Sequence, residues 1–518
     1  MEFISILNDV LGPVMRGPSS SHTAGSYHIG RLVRALLGGA PARAEFTFDP
    51  SGSYAATYRQ QGVDLALTAG LLGWPMTDER FARALALAPK LGLRPRFRVA
   101  PLEGADHPNA VAIELISKDG RTLRAAARSI GGGMILLTEL DGHPVRIDGK
   151  SHEVLVLVAA RSAEKAGAVV AADGRTIGEP ACSSRGGRTF LAFKRTAALS
   201  AEALAGLGRL EGVHETWTAP PLFFTRKGEP LFLSAAEMTA LARRRRMSLG
   251  RAALAYEARL LGLAKRDVLE EMGRRFEVMR RSVRDGLAGR GLGMKLLEPT
   301  AGRIFGAEAR GRLPSGGFQT RAAARAMAAL HVSNSGGVVC AAPTGGSAGV
   351  LPGVLVTLAE DRGLDEAGAA LALLAAGAVG LIVARRATFA AEVAGCQVEI
   401  GAAGAMATAA VVEAAGGTAA QAADAAAISL QNTMGSVCDL VQGLCEIPCH
   451  TRNAVAASSA FVCADLVLGG YANPIPLDDT IDASFAAGRM LPAELRCTAK
   501  GGLAVTPSAL ALKGGRSK

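Results

Sequence analysis

Aromatic residues are scarce: Phe, Trp and Tyr make up 4% of the 518 residues, whereas 63 are Gly. A core dominated by large rings is excluded, and close backbone approach has to do the packing. The first ten residues carry Glu2, no basic stretch and no small-residue cleavage site, so no secretory signal is expected and the cytoplasm is the expected location. No paired C-x-x-C spacing occurs, which argues against both a ferredoxin run and a zinc ribbon. The glycines after Thr344 lack the Lys of a phosphate-binding loop, and no G-x-G-x-x-G follows a convincing strand, so no nucleotide is expected. Dense blocks of one charge are also rare. The net charge is +11, yet Lys and Arg are scattered among Asp and Glu, and the single dense run is Arg243 to Arg246. It falls in a helical pattern from Leu233 to Leu261 and reads as a solvated face; no nucleic-acid partner is expected. A basic surface does favour small carboxylate substrates.

What is present is a long globular chain, 49% hydrophobic and 20% charged. At about one domain per 100–200 residues it divides into roughly three. Residues 1–148 alternate strand-like runs (Ala44 to Asp49, Val111 to Ser117, Leu123 to Ser129, Met134 to Leu140) with helical patterns (Ala24 to Leu37, Gly62 to Leu72, Glu79 to Leu91), an α+β reading. Residues 149–219 read strand, helix, two strands around Arg185-Gly186-Gly187, helix, strand, which is the split-βαβ ferredoxin-like order. Pro220 and Pro221 open a linker over 220–232. Residues 233–518 are Ala-rich and apolar-periodic, a mainly helical domain. Within it, Ala367 to Ala384 is long enough to cross a membrane, but its Ala and Gly content favours a buried helix, and no membrane partner is expected.

The eight cysteines should be reduced in the cytosol, so clustering points to metal or catalysis rather than disulfides. Cys438 and Cys449 are separated by ten residues in a Gly- and Pro-containing stretch, and Cys396 sits in Gly395-Cys396-Gln397. Soft thiolates on such loops suit an iron-sulfur cluster, but the spacing equally admits buried structural thiols or zinc held with His450. A cluster held by only three thiolates leaves one iron open as a Lewis acid. Cys340, Cys463, Cys182 and Cys497 read as structural, and Cys445 as a core thiol, since a fourth ligand would close that iron. Gly17-Pro18-Ser19-Ser20-Ser21-His22-Thr23 sets hydroxyls, backbone N–H groups and an imidazole at a helix start, which suits either a carboxylate site or a plain cap. His107-Pro108-Asn109 is a loop whose His either binds, acts as a base or only hydrogen-bonds. The run Ala342-Pro343-Thr344-Gly345-Gly346 reads as a loop with its backbone exposed.

At these residues the chain resembles the iron-sulfur-dependent bacterial L-serine dehydratases, in the form that joins β-type and α-type parts on one chain. The likeness runs from Gly12-Pro13-Val14-Met15 and Gly17 to Gly25, through His107 to Asn109 and Ser129 to Gly133. It continues through Ala342 to Thr344, Gly395 to Gln397, Cys438-Asp439, Pro448-Cys449 and Arg452-Asn453, and ends at Gly501 to Ala504. The resemblance implies a 4Fe-4S cluster on Cys396, Cys438 and Cys449, and an ACT-like module over residues 149–219. It also implies a carboxylate site at Ser19, Ser20, Ser21 and Thr23, and His22 and His107 as the catalytic imidazoles. Gln61, Asp64, Thr344 and Gly345 complete the expected substrate pocket, and family members commonly form homodimers. The implied reaction removes water from L-serine and gives pyruvate and ammonia. The chain departs from the family's Gly-His-Gly-Thr-Asp at Gln60-Gln61-Gly62-Val63-Asp64; Gln61 can orient a substrate but not titrate as a base. Gly345 likewise replaces the Asn of Pro-Thr-Asn-Gly. Two other functions fit the same residues: a paralogue acting on a different β-hydroxy or β-substituted amino acid, and a non-catalytic sensor of metabolites or redox state.

Overall fold

A computed structural model describes residues 3–512 as a multidomain α+β protein. Near the N-terminus a six-stranded sheet runs, in spatial order, Arg94–Val99, Arg43–Phe48, Ala110–Ile116, Thr122–Gly131, Met134–Leu140 and His143–Ile147. Only the first two strands are parallel. The alternation of Ala44, Phe46 and Phe48 points apolar side chains inward. There they meet Ile29, Leu32, Val33 and Leu36 from the helix Gly25–Leu37. The helix Val63–Leu72 packs beside it at close range. A Cβ on Gly70 would come within 2.5 Å of Tyr27 O, and one on Gly30 within 2.6 Å of Leu67 O.

Two edge strands escape the apolar alternation. Arg94–Val99 contains Pro95 and points most of its side chains to solvent, as an edge strand can. His143–Ile147 also has a largely outward pattern. The helix expected over Glu79 to Leu91 is broken into 3₁₀ turns at Glu79–Arg83 and Pro89–Leu91 around the short helix Ala84–Leu87, because Pro89 cannot continue the ladder.

Residues 152–219 form a second sheet, all antiparallel, in which the last strand, Val213–Ala219, lies beside the first, His152–Ala159. The third, Arg188–Arg195, and the second, Ala181–Arg185, follow. One side is sealed by Val170 and Leu207 of the two helices. Leu155, Phe190 and Trp217 join the core of the first sheet instead, so the two sheets share apolar cover.

The remainder is helical. The expected helical pattern from Leu233 to Leu261 is two helices, Ala235–Arg245 and Leu249–Leu261. Arg246 turns left-handed at φ 51° and Ser248 caps the second by accepting from the Arg251 N–H. Arg243 to Arg246 are exposed. The apolar helix Glu366–Arg386 has the length and hydropathy of a membrane span, but 78% of that window is buried inside the fold. Its Gly377 and Gly380 leave room for Ile6 and Val10; a Cβ there would lie 2.4 Å and 2.3 Å from their side chains. Ile6 and Val10 therefore belong to the helical core, together with Leu7 and Leu11. Glu257 fastens them, accepting from Ser5 Oγ at 2.5 Å and from the N–H groups of Ile6 and Leu7 at 2.9 Å. Beyond them Val14–Arg16 pairs antiparallel with Val338–Cys340. This pairing brings the loop after Arg16 to the loop after Cys340.

Candidate active site

The segment after Arg16 is clamped at both ends by glycine. A Cβ on Gly17 would lie 2.0 Å from Ser333 O, and one on Gly25 2.2 Å from Ser129 Oγ. Between them Ser20–Ala24 makes one wide helical turn, with Ser19 Oγ accepting the His22 N–H at 3.2 Å. Ser19, Ser20 and Ser21 thereby line a buried cavity that Thr344 and Gly346 also line.

The loop of Thr344 was expected to expose its backbone; it is buried instead. Thr344 Oγ1 hydrogen-bonds with Ser347 Oγ at 2.9 Å and donates to Glu399 Oε1 at 2.5 Å. Its glycines explain how it fits. A Cβ on Gly345 would lie 2.8 Å from Pro18 O and 2.9 Å from Ser20 N, and one on Gly346 2.6 Å from Glu399 Oε1. The side chain missing at Gly345 is thus replaced by direct packing of the two loops, and Gly345 itself does not line the cavity.

His22 is fully buried one layer behind the cavity wall. Its Nδ1 lies 3.0 Å from Ser21 Oγ and 3.4 Å from Glu392 Oε1, and its Nε2 3.1 Å from Ser53 Oγ. Burial lowers its pKa against the opposing pull of Glu392, so the ring is neutral near pH 7. Glu392 lines the cavity and accepts from Ser21 Oγ at 2.6 Å and from Asn109 Nδ2 at 3.2 Å. Glu399 lines it too, its carboxyl pushed up to about 7 by burial. Glu392 was not singled out from sequence, and Asn109 was noted only as part of the His107-Pro108-Asn109 loop, with no role of its own. The available signal for Glu392 was an acid set among Ala390, Ala391 and Ala394, where a charge has no reason to be unless paired.

The other expected residues divide. Gln61 lines the cavity. Thr23 does not, but its Oγ1 donates to Gln61 O at 2.8 Å. Asp64 sits in the first turn of Val63–Leu72, where its Oδ1 accepts the Leu65 N–H, outside the cavity lining. His107 is half-buried, accepts the Asn109 N–H on Nδ1 at 3.1 Å and also stays outside the lining.

Cysteines close the far side. The Sγ atoms of Cys396 and Cys438 and a Glu399 carboxylate oxygen all lie within 4.8 Å of one another. Cys449, at the start of the helix Cys449–Leu468, lines the same cavity. So do Cys445 and Cys497, which read from sequence as packing thiols. Cys497 reaches it through paired backbone contacts, its N–H donating to Cys438 O at 2.9 Å. Contact with Cys438, then burial, pushes the Cys396 thiol well up; contact with Cys449, then burial, does the same to Cys445. Thiols so close cannot ionise together unless a cation is placed among them. Arg452 supplies part of that charge, with Nη1 3.7 Å from Cys396 Sγ and Nη2 3.0 Å from Asp439 Oδ1. The donor set is soft, buried and clustered, and it fits an iron-sulfur or other thiophilic metal site.

Comparison with known proteins bears on this arrangement. The family model described as serine dehydratase alpha chain matches residues 151–504. The chain is 37% identical to the probable L-serine dehydratase, alpha chain, of Bacillus subtilis (strain 168), over 54% of this chain and 93% of that one. It is 45% identical to the corresponding probable alpha chain of Latilactobacillus sakei, over 36% of this chain and 90% of that one. A relative named probable L-serine dehydratase, beta chain, also from Bacillus subtilis (strain 168), is 41% identical over 30% of this chain and 69% of its own. With that match over residues 151–504 and near-complete coverage of two alpha-chain relatives, the chain belongs to the serine dehydratase alpha chain family.

Proposed function

We propose that this protein is an iron-sulfur-dependent L-serine dehydratase, converting L-serine to pyruvate and ammonia. The observation that carries the reading is one buried cavity lined by the serine loop, by Glu392 and Glu399, and by the thiols of Cys438 and Cys449, with Cys396 beside them. The names of the relatives support the substrate. Cys396, Cys438 and Cys449 would hold a 4Fe-4S cluster, which when bound supplies a Lewis-acidic iron toward a leaving hydroxide.

The chain's own groups account for the rest. Ser19, Ser20 and Ser21 offer hydroxyls, and their turn offers backbone N–H groups, to the substrate carboxylate. Glu392 takes the Cα proton, and His22, neutral and 3.4 Å away, accepts it in turn. Loss of that proton and of the β-hydroxyl as water leaves aminoacrylate, which tautomerises to an imine and hydrolyses to pyruvate and ammonium. Neutral His22 is the partner that lets Glu392 act repeatedly as a base. Residues 149–219 we read as an ACT-like module, supported by the ferredoxin-like strand order; its shared core with the first sheet supports a role in holding the catalytic parts together.

The test is anoxic purification followed by iron and sulfide analysis and a pyruvate assay with L-serine. Roughly four irons per chain and pyruvate formation are expected, and Cys396→Ala should lose both. Glu392→Gln should keep the iron while turnover falls by at least about 100-fold. Iron-free protein after anoxic reconstitution, or iron-loaded protein inert toward serine, would overturn the reading.

A further inference from the structure

Gln61 is held on three sides and unpaired on the fourth. Its backbone N–H donates to Thr57 O at 2.9 Å, and its carbonyl accepts from Thr23 Oγ1 at 2.8 Å. Its side-chain Nε2 points to Gly443 O at 3.4 Å. Gly443 O is an acceptor, so the amide nitrogen must face it, and the orientation of the amide is settled by that contact. The other end, Oε1, has no hydrogen-bond partner although the residue is 1% exposed and lines the cavity. Asn109 Oδ1 is also without a partner but lies outside the lining. A buried acceptor left unpaired is costly, so the position calls for a donor brought by a ligand.

We infer that Gln61 Oε1 receives the α-ammonium of the substrate and is the residue that selects amino acids over simple hydroxy acids. The inference rests on the proposed dehydratase reading and adds the chemistry of recognition to it. An unpaired carbonyl oxygen cannot face the carboxylate, which the Ser19 to Ser21 turn already suits. The β-hydroxyl is the group that the proposed cluster would take, and of its thiols Cys438 and Cys449 share the lining. The remaining polar group is the ammonium, which only donates. Glu392 accepts from Ser21 and Asn109 on Oε1 and is the group assigned to the Cα proton, and Glu399 Oε1 accepts from Thr344. A neutral amide also holds the ammonium without competing for its proton, whereas an imidazole here could exchange protons with it.

The experiment compares two ligands on anoxically purified holoenzyme. L-Serine carries the ammonium; 3-hydroxypropionate keeps the carboxylate and β-hydroxyl and has only hydrogens at Cα. Dissociation constants come from thermal-shift titration, with KM and kcat for serine measured beside them. In Gln61→Met, which keeps length and loses the acceptor, serine affinity should fall about 10–100-fold and 3-hydroxypropionate affinity should stay within about threefold. Gln61→Glu, which restores an acceptor at the same reach, should recover most of the serine affinity. Equal loss for both ligands, unchanged serine affinity in Gln61→Met, or no recovery in folded Gln61→Glu would overturn the inference. If the wild-type enzyme makes no pyruvate, the dehydratase reading fails separately, and the difference between the two ligands still decides the role of Gln61.

Discussion

Single residues in this protein are governed by burial. His28 is buried, with Nδ1 2.8 Å from Gly133 O, and burial lowers its pKa to about 4, helped by nearby Arg31 and opposed by the Gly133 contact. The unfolded chain takes up this proton near pH 6.5, whereas the folded chain refuses it until about pH 4. Protons therefore favour the unfolded chain below pH 6.5, and the loss grows as pH falls toward 4. At pH 5 it amounts to about 2 kcal/mol from this one imidazole. The drop in Tm between pH 7 and pH 5 should accordingly be smaller in His28→Gln than in the wild type; an identical drop would show that another group carries it. Residue-scale gathering was unevenly legible in sequence. Cys396, Cys438 and Cys449 stand in distinctive surroundings, and Ser19 to Ser21 sit at a helix start, so both groups were legible as candidates before the fold brought them together. Glu392 was not, because its significance comes from Ser21, His22 and Asn109, each remote in sequence.

At the scale of elements, the geometry of the cavity depends on how closely two helices approach. Gly25–Leu37 carries the serine turn at its start, and Val63–Leu72 carries Gln61 just before its own. A methyl group at Gly70 would meet Tyr27 O and Arg31 N, both backbone atoms that cannot swing aside. Gly70→Ala should push the helices apart, cost about 1–3 kcal/mol in stability and raise KM as Gln61 and the serine turn separate. Gly39→Ala, which meets nothing within 4 Å, is the control and should leave both values alone. Urea unfolding and steady-state kinetics on the pair decide the matter. Elements with a buried face, such as Ala110–Ile116, were readable from periodicity. Arg94–Val99 was not, since a solvated edge strand leaves no apolar alternation to detect.

For the whole molecule, order along the chain and place in the fold part company near the N-terminal end. The first residues leave the sheet they precede in sequence and enter the helical core, where Glu257 receives Ser5, Ile6 and Leu7. No local pattern announces this, because the apolar residues Ile6, Leu7, Val10 and Leu11 suit either core equally. Glu257→Ala strands two backbone N–H groups in an apolar setting and should cost about 2–5 kcal/mol. Hydrogen exchange should then accelerate at Ile6 and Leu7 first; unchanged exchange there would mean the segment is held by apolar packing alone.

The pairing of Val14–Arg16 with Val338–Cys340 has a bearing on how the protein is made. Arg16 also donates to Gly336 O at 2.9 Å, a partner 320 residues downstream. A nascent chain leaving the ribosome presents Ile6, Leu7, Val10 and Leu11 long before the surfaces that cover them exist, roughly 15–60 s at ordinary elongation rates. Residues that emerge hundreds of positions before their partners find their places only after those partners follow, so vectorial synthesis leaves this apolar segment waiting for its cover.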